Sequence, residues 1–285
     1  MPAVLPTSEA DPGRRRTHAT RETVKRNRST WRIGSSQESG IIPEDRATNA
    51  RRTATSKPGP TTVRGGGFGS RTLRCMVSRE VRIVVGDATV TGRLARGGDG
   101  RTGLLLAHGA GTNQDHPRLI ELRDGLAAAG LTVLTFNYLY TEADRKRPDA
   151  QPLLLSAHRA ARDLLAGEVG GPVVLAGRSM GGRMGTYLAA AGEPAMGLVL
   201  YAYPLHPPGK PDKLRADHLP SITAPMLFFQ GTRDPLSRME LFDRYVRPLP
   251  NVTVESLEAN HSLGGARNAP HLIERTANWI ETLVS

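Results

Sequence analysis

Val173–Gly185, VVLAGRSMGGRMG, is the stretch whose reading decides the fold. With the proline before it, the run Pro172–Ala176 (PVVLA) reads as a short strand covered on both faces, because its apolar residues are continuous rather than alternating. Met180, Met184 and Leu188 then recur every four residues, so SMGGRMGTYLAAA reads as a helix with one apolar stripe. The chain therefore turns from strand to helix at Ser179. Gly177 and Gly181 leave room for that tight turn, while Gly182 and Gly185 are expected to let the helix sit close to neighbouring strands. The pattern GRSMG is the G-x-S-x-G arrangement that lifts a serine hydroxyl above the end of a sheet. A helix N-terminus beneath it offers unpaired N–H groups and a positive dipole end to a developing oxyanion.

Working outward, strand and helix patterns alternate. EVRIVV and ATVTGRL alternate apolar and polar residues around Gly86–Asp87 and predict an antiparallel hairpin. TGLLLAHGAG predicts a buried strand ending in a glycine-rich loop. Leu119, Leu122 and Leu126 mark a helix ending at Gly130. LTVLTFNY is a strand and LLLSAHRAARDLLA a helix. MGLVLYAY and PMLFFQG are strands, and Phe242, Tyr245 and Val246 suggest a helix before the strand VTVESL. The amphipathic helix HLIERTANWIETLV closes the chain. This alternation over roughly 200 residues predicts one α/β domain with a mostly parallel, doubly wound sheet.

In such sheets ligands bind at the carboxyl ends of the strands, and the chemically useful residues fall there. The first parallel strand ends in AHGAG, where glycines bare the backbone. The N–H groups of Ala110 and of Met180, which follows the serine, are candidate oxyanion donors. His108 is expected to shape that loop rather than move protons. Asp234 follows PMLFFQG and precedes a proline, a setting that also suits a turn or helix N-cap. His261 lies in EANHSL, between the last strand and the last helix. A serine hydroxyl needs a base to take its proton, imidazole titrates near neutrality, and a carboxylate fixes the imidazole tautomer. Ser179, Asp234 and His261 occur in the chain order expected for this elbow, each after its own strand.

Together LLLAHGAG, FNYLY, AGRSMGGRM, YAYPLHPPGKPDKLRADHL, FFQGTRDPL and NHSL resemble the α/β-hydrolase superfamily. More narrowly, they resemble its dienelactone-hydrolase-like family, which includes the testis-expressed protein thirty and the third subunit of the non-specific-lethal chromatin complex. The resemblance spans residues 78–285. It implies an α/β-hydrolase fold with nucleophile Ser179, acid Asp234 and base His261. Dienelactone hydrolases proper carry cysteine at the nucleophile position, where this chain has serine. The expectation is a serine hydrolase acting on a small ester or thioester through an acyl-enzyme. Acyl transfer to another acceptor, and a non-catalytic binding or scaffold protein on the same fold, are the competing readings.

Pro204–Ala224 lies where many hydrolases of this fold insert a lid. It is short and Pro-rich, which predicts a small cap and an open site. Tyr138, Tyr140, Tyr203 and His206 follow strand ends and either line the mouth or pack at the sheet edge. Arg178 and Arg183 either attract an anionic acyl group or pair with surface acids. Absence of a Rossmann fingerprint, a P-loop and metal-ligand spacings predicts no cofactor and no metal.

Charge divides the chain. Residues 1–75 hold 15 of its 38 Lys/Arg and 6 of its 27 Asp/Glu, and so carry +9 of the net +11. That segment lacks hydrophobic periodicity and is expected to be a disordered basic extension, preceding a hydrolase domain at 76–285. It reads as a solvated extension, as an arm making weak phosphate contacts with nucleic acid, or as a transit segment. Patterning begins at MVSREVRIVV, which makes Met76 a candidate true start. The single cysteine, Cys75, leaves no internal disulfide. No signal-peptide core and no membrane-length apolar run is present, so a soluble, cytoplasmic protein without membrane contact is expected.

Overall fold

The computed structural model describes residues 78–285. The expectations for residues 1–75 and for a start at Met76 lie outside these residues.

Two strands, β1 (Arg79–Val85) and β2 (Ala88–Ala95), form the expected hairpin, with Val85 paired to Ala88. Gly86 takes φ +59° at the first loop position, where a residue with a Cβ would be strained. The remaining strands are β3 (Gly103–Ala107), β4 (Thr132–Phe136), β5 (Val174–Arg178), β6 (Gly197–Tyr201), β7 (Met226–Gly231) and β8 (Val252–Leu257). They join in one sheet of order β1-β2-β4-β3-β5-β6-β7-β8. Only β2 runs against the others. This is the mostly parallel sheet that the alternation of patterns predicts.

Helices α1 (Pro117–Ala128) and α6 (Ala269–Val284) cover one face; α3 (Gln151–Val169) and α4 (Met180–Ala190) cover the other. The continuous apolar strands follow from this double cover, since successive side chains leave opposite faces. In β3, Leu105 and Ala107 enter the core under α3 and α4, while Leu104 and Leu106 enter the core under α1 and α6. Phe228 and Phe229 divide between the two cores in the same way. Truncating any of these leucines to alanine is expected to cost about 2–5 kcal/mol.

Two further helices complete the domain. The short α5 (Met239–Tyr245) buries Phe242, and Val246 just beyond it, while Tyr245 stays exposed. The single turn α2 (Leu139–Glu142) has no counterpart in the sequence reading, because four residues are too few to reveal a period. Segment 204–224 is not raised like a lid. Leu205, Ala216, Leu219 and Ile222 are buried in the core beside α4, so the cap is a strap anchored into the domain.

Candidate active site

Strand β5 extends two residues past the apolar run, to Arg178, and hands the chain directly to α4. Ser179 sits between them at φ +52°, ψ −114°, a strained conformation for a residue with a side chain. Its N–H donates to Tyr201 O at 2.9 Å, and its carbonyl accepts from Arg183 N–H at 3.1 Å. The neighbouring glycines are sterically required. A Cβ on Gly177 would lie 2.4 Å from Gly182 N, and one on Gly181 would lie 2.5 Å from Ala107 O. Gly185 differs: its nearest neighbour would be Leu175 Cβ at 3.4 Å, an ordinary contact.

The fold brings three of the predicted residues together. Ser179 Oγ lies 3.0 Å from His261 Nε2, and His261 Nδ1 lies 2.7 Å from Asp234 Oδ2. Asp234 follows β7 with its carboxylate fully shielded, whereas the His261 ring is partly exposed beyond β8. A carboxylate only accepts, so Nδ1 carries the proton and Nε2 presents a lone pair to the serine hydroxyl. Asp234 also serves the turn anticipated from its Asp-Pro setting, since Oδ1 accepts Leu236 N–H at 2.8 Å. Gln230 Nε2 donates to Oδ2 at 3.0 Å. Gln230 escaped the sequence reading, although a glutamine inside the apolar run MLFFQG was a usable signal.

Ala110, Ser179 and Met180 line one cavity of about 280 Å³. Met180 is the first residue of α4, so its N–H has no intrahelical acceptor. Pro148, Asp149, Gln151, Leu154, Arg183, Met184, Pro204, Arg215 and Leu236 complete the wall. Of these, Arg183 is the one read from sequence as a substrate contact and Met184 the one read as part of the apolar stripe of α4; the others sit in loops and on helix faces whose direction no local pattern reveals. A wider depression of about 560 Å³ lies under the His261 loop among Arg118, Arg233 and Arg267, but Ser179 does not reach it.

The structure places the other predicted contacts elsewhere. Tyr138, expected at the mouth, is fully buried, and its hydroxyl lies 3.0 Å from His158 Nδ1. Burial pushes the Tyr138 phenol well up and the His158 imidazole down to about 3. Tyr203 is buried and donates to Arg215 O at 2.7 Å. His206 is buried with both nitrogens in use, Nδ1 donating to Pro207 O and Nε2 accepting Arg238 N–H. None of the three lines the cavity, because the loops beyond the strand ends fold back and carry these rings into the core. Arg178 points away from the cavity and donates to His261 O at 3.1 Å, bracing the histidine loop. His108 is buried, its Nδ1–H donating to Gly109 O at 2.8 Å. Burial lowers it to about 4, so it is neutral at pH 7 and holds the Ala110 loop in place.

Among the described residues, no group of three or more His, Cys, Asp or Glu is arranged to hold a metal ion, and no helix is long and apolar enough to cross a membrane.

Comparison with known proteins places this geometry in a wider setting. A dienelactone hydrolase from Anabaena variabilis superposes with a TM-score of 0.59 at 23% identity, over 72% of this chain and 97% of that one. An alpha-beta serine hydrolase homologue from Coxiella burnetii gives 0.57 at 18% identity, over 69% and 96%. An esterase from Pyrococcus furiosus gives 0.62 at 15% identity, over 79% and 97%. At these identities the likeness is one of fold. The family profile described as alpha/beta hydrolase domain matches residues 100–281. With its sheet order, its strained serine elbow and that match over most of its length, this chain belongs to the alpha/beta hydrolase family.

Proposed function

We propose that the chain is a cofactor-independent serine hydrolase that cleaves esters or thioesters of small acyl groups. The observation that carries this reading is the continuous hydrogen-bonded path from Ser179 Oγ through the His261 ring to the buried Asp234 carboxylate. In the first half-reaction, Ser179 Oγ attacks the carbonyl carbon as His261 Nε2 takes its proton. Negative charge develops on the carbonyl oxygen, where the Ala110 and Met180 N–H groups are the proposed donors. His261 then gives its proton to the departing alcohol or thiol. Water, deprotonated by His261, releases the acid from Ser179. The cavity is at the small end for ligand sites, which favours short acyl groups over long lipid chains. Arg178 supports the cycle indirectly, by holding the His261 backbone.

A fluorophosphonate probe with peptide mass spectrometry tests the proposal. Ser179 is expected to label in the wild type, not at all in Ser179→Ala, and far more slowly in His261→Ala. Absence of labelling in folded wild type would overturn the proposal and favour a binding protein on the same fold.

A further inference from the structure

The cavity beside Ser179 is mostly apolar, yet two arginines line it, Arg183 and Arg215. Arg183 lies four residues after Ser179 on α4, one helical turn along and on the same face. Helical side chains lean towards the N-terminus, so Arg183 leans back over the serine. Its Nε is buried without a hydrogen-bond partner, and its guanidinium carbon stands 6.0 Å from the centre of the Tyr187 ring. Arg215 comes from the strap, where Tyr203 holds its carbonyl.

Among the described residues, no carboxylate approaches within 4 Å of either guanidinium. Asp149 lines the same cavity but is committed elsewhere: Oδ1 lies 2.5 Å from Arg145, and Oδ2 accepts Tyr140 N–H at 2.8 Å. Nearby His218 adds no charge at pH 7. Burial, then the Arg183 charge, lowers it to about 4. Burial and the same charge push Arg215 below the usual arginine range. Two half-buried cations therefore repel one another beside one cavity whose only carboxylate, Asp149, is engaged elsewhere. Such an arrangement is costly in the empty site and favours an anionic guest.

The guest's orientation follows from the wall. His261 must stand beside the leaving group to protonate it, but His261 does not line this cavity, so the cavity takes the acyl part. We propose that the acyl group received by Ser179 ends in a second, free carboxylate held by Arg183 and Arg215. On this inference the substrates are half-esters or half-thioesters of short dicarboxylic acids. Planar guanidinium forks match carboxylate oxygens better than any other side chain. The arginines change no bonds: the ester or thioester bond breaks as already described, and the products are a dicarboxylate and an alcohol or thiol. This inference rests on the serine-hydrolase reading.

The test compares p-nitrophenyl hemiglutarate with its methyl-capped neutral analogue in the full chain, as a ratio of kcat/KM within each variant. The wild type is expected to favour the acid by about 10-fold or more. Arg183→Met and Arg215→Met should each erode that ratio, the double substitution should abolish it, and lysine at either position should restore part of it. Free glutarate should also slow fluorophosphonate labelling of wild-type Ser179 but not of the double variant. A neutral preference in the wild type, or an unchanged ratio in the arginine variants, overturns the inference while leaving the hydrolase reading intact. Calorimetry of glutarate with Ser179→Ala separates the two further. Binding there that disappears on adding the two methionines supports the anion site even if labelling fails, and no binding counts against it.

Discussion

Replacing Asp234 by asparagine tests how the site fixes the imidazole. Three donors converge on this carboxylate: His261 Nδ1–H at 2.7 Å, Gln230 Nε2–H at 3.0 Å and Leu236 N–H at 2.8 Å. Asparagine supplies a single oxygen. If that oxygen faces His261, the new NH2 group meets Leu236 N–H, and two buried donors oppose one another at a cost of about 1–3 kcal/mol. If the oxygen instead faces Leu236, the NH2 group faces His261 and Gln230. Gln230 can accommodate it, because its Oε1 is buried and unpartnered and a rotated amide would present that oxygen. The second orientation is therefore preferred. It obliges His261 Nδ1 to accept, moves the ring proton to Nε2, and turns that nitrogen from an acceptor of the serine proton into a donor towards it.

The expected result is a fall of about 10³–10⁴-fold in kcat/KM, or about 4–5.5 kcal/mol, with the fold intact. Fluorophosphonate labelling rates and ester hydrolysis measure the loss, a urea melt checks the fold, and nitrogen NMR of His261 reads the tautomer directly. Labelling within about tenfold of wild type, or an unchanged tautomer, would refute the reasoning.

Three further outcomes follow from the same geometry. Gly181→Ala should cost more than about 3 kcal/mol or prevent folding, since its Cβ would meet the Ala107 carbonyl at 2.5 Å; Gly185→Ala should be neutral or stabilise by up to about 1 kcal/mol, and paired chemical melts that ranked the two alike would contradict this. Burial lowers His108 to about 4 and His158 to about 3, so above the ordinary value of 6.5 their stabilisation is complete; below it the unfolded chain binds protons that the fold refuses. Stability should therefore fall towards pH 4 by up to about 1.4 kcal/mol per pH unit for each ring, and His108→Gln and His158→Gln should each flatten a series of urea midpoints between pH 7 and 4.5. Arg178→Met removes the donor to His261 O and should lower kcat about tenfold with KM little changed, whereas a loss confined to KM would place Arg178 against substrate instead.

The succession of strands and helices along the chain, the elbow and the residues at three strand ends were legible because each is written locally. Gly177 and Gly181 are absent side chains that the turn requires, and Ser179, Asp234 and His261 follow strands whose continuous apolar runs identify them. The direction of a side chain leaving a loop is not written locally. Tyr138 and Tyr203 both follow strand ends as His261 does, yet their rings turn inward because His158 and the Arg215 carbonyl satisfy their hydroxyls inside the core. Arg178 shows the same limit within the elbow itself. It is adjacent to the serine in sequence, but the strand alternation sends it to the opposite side, under the histidine loop.

That limit explains why the strongest clue to specificity comes from residues far apart in the chain. Arg183 was visible as a helical neighbour of Ser179, but its meaning depended on whether an acid answered it. Arg215, Asp149 and Leu236 reach the cavity from the strap, from the turn before α3 and from the loop after β7. Only their assembly reveals that the nearby carboxylate is already held by Arg145, and that a second cation stands where a counter-ion would otherwise be expected. The proposed chemical step needs only the serine, the histidine, the aspartate and two N–H groups. Two arginines on the wall of one mostly apolar pocket add nothing to that step and, with no carboxylate in contact with either, weaken the empty protein. Their arrangement is accounted for if the substrate brings the missing negative charge.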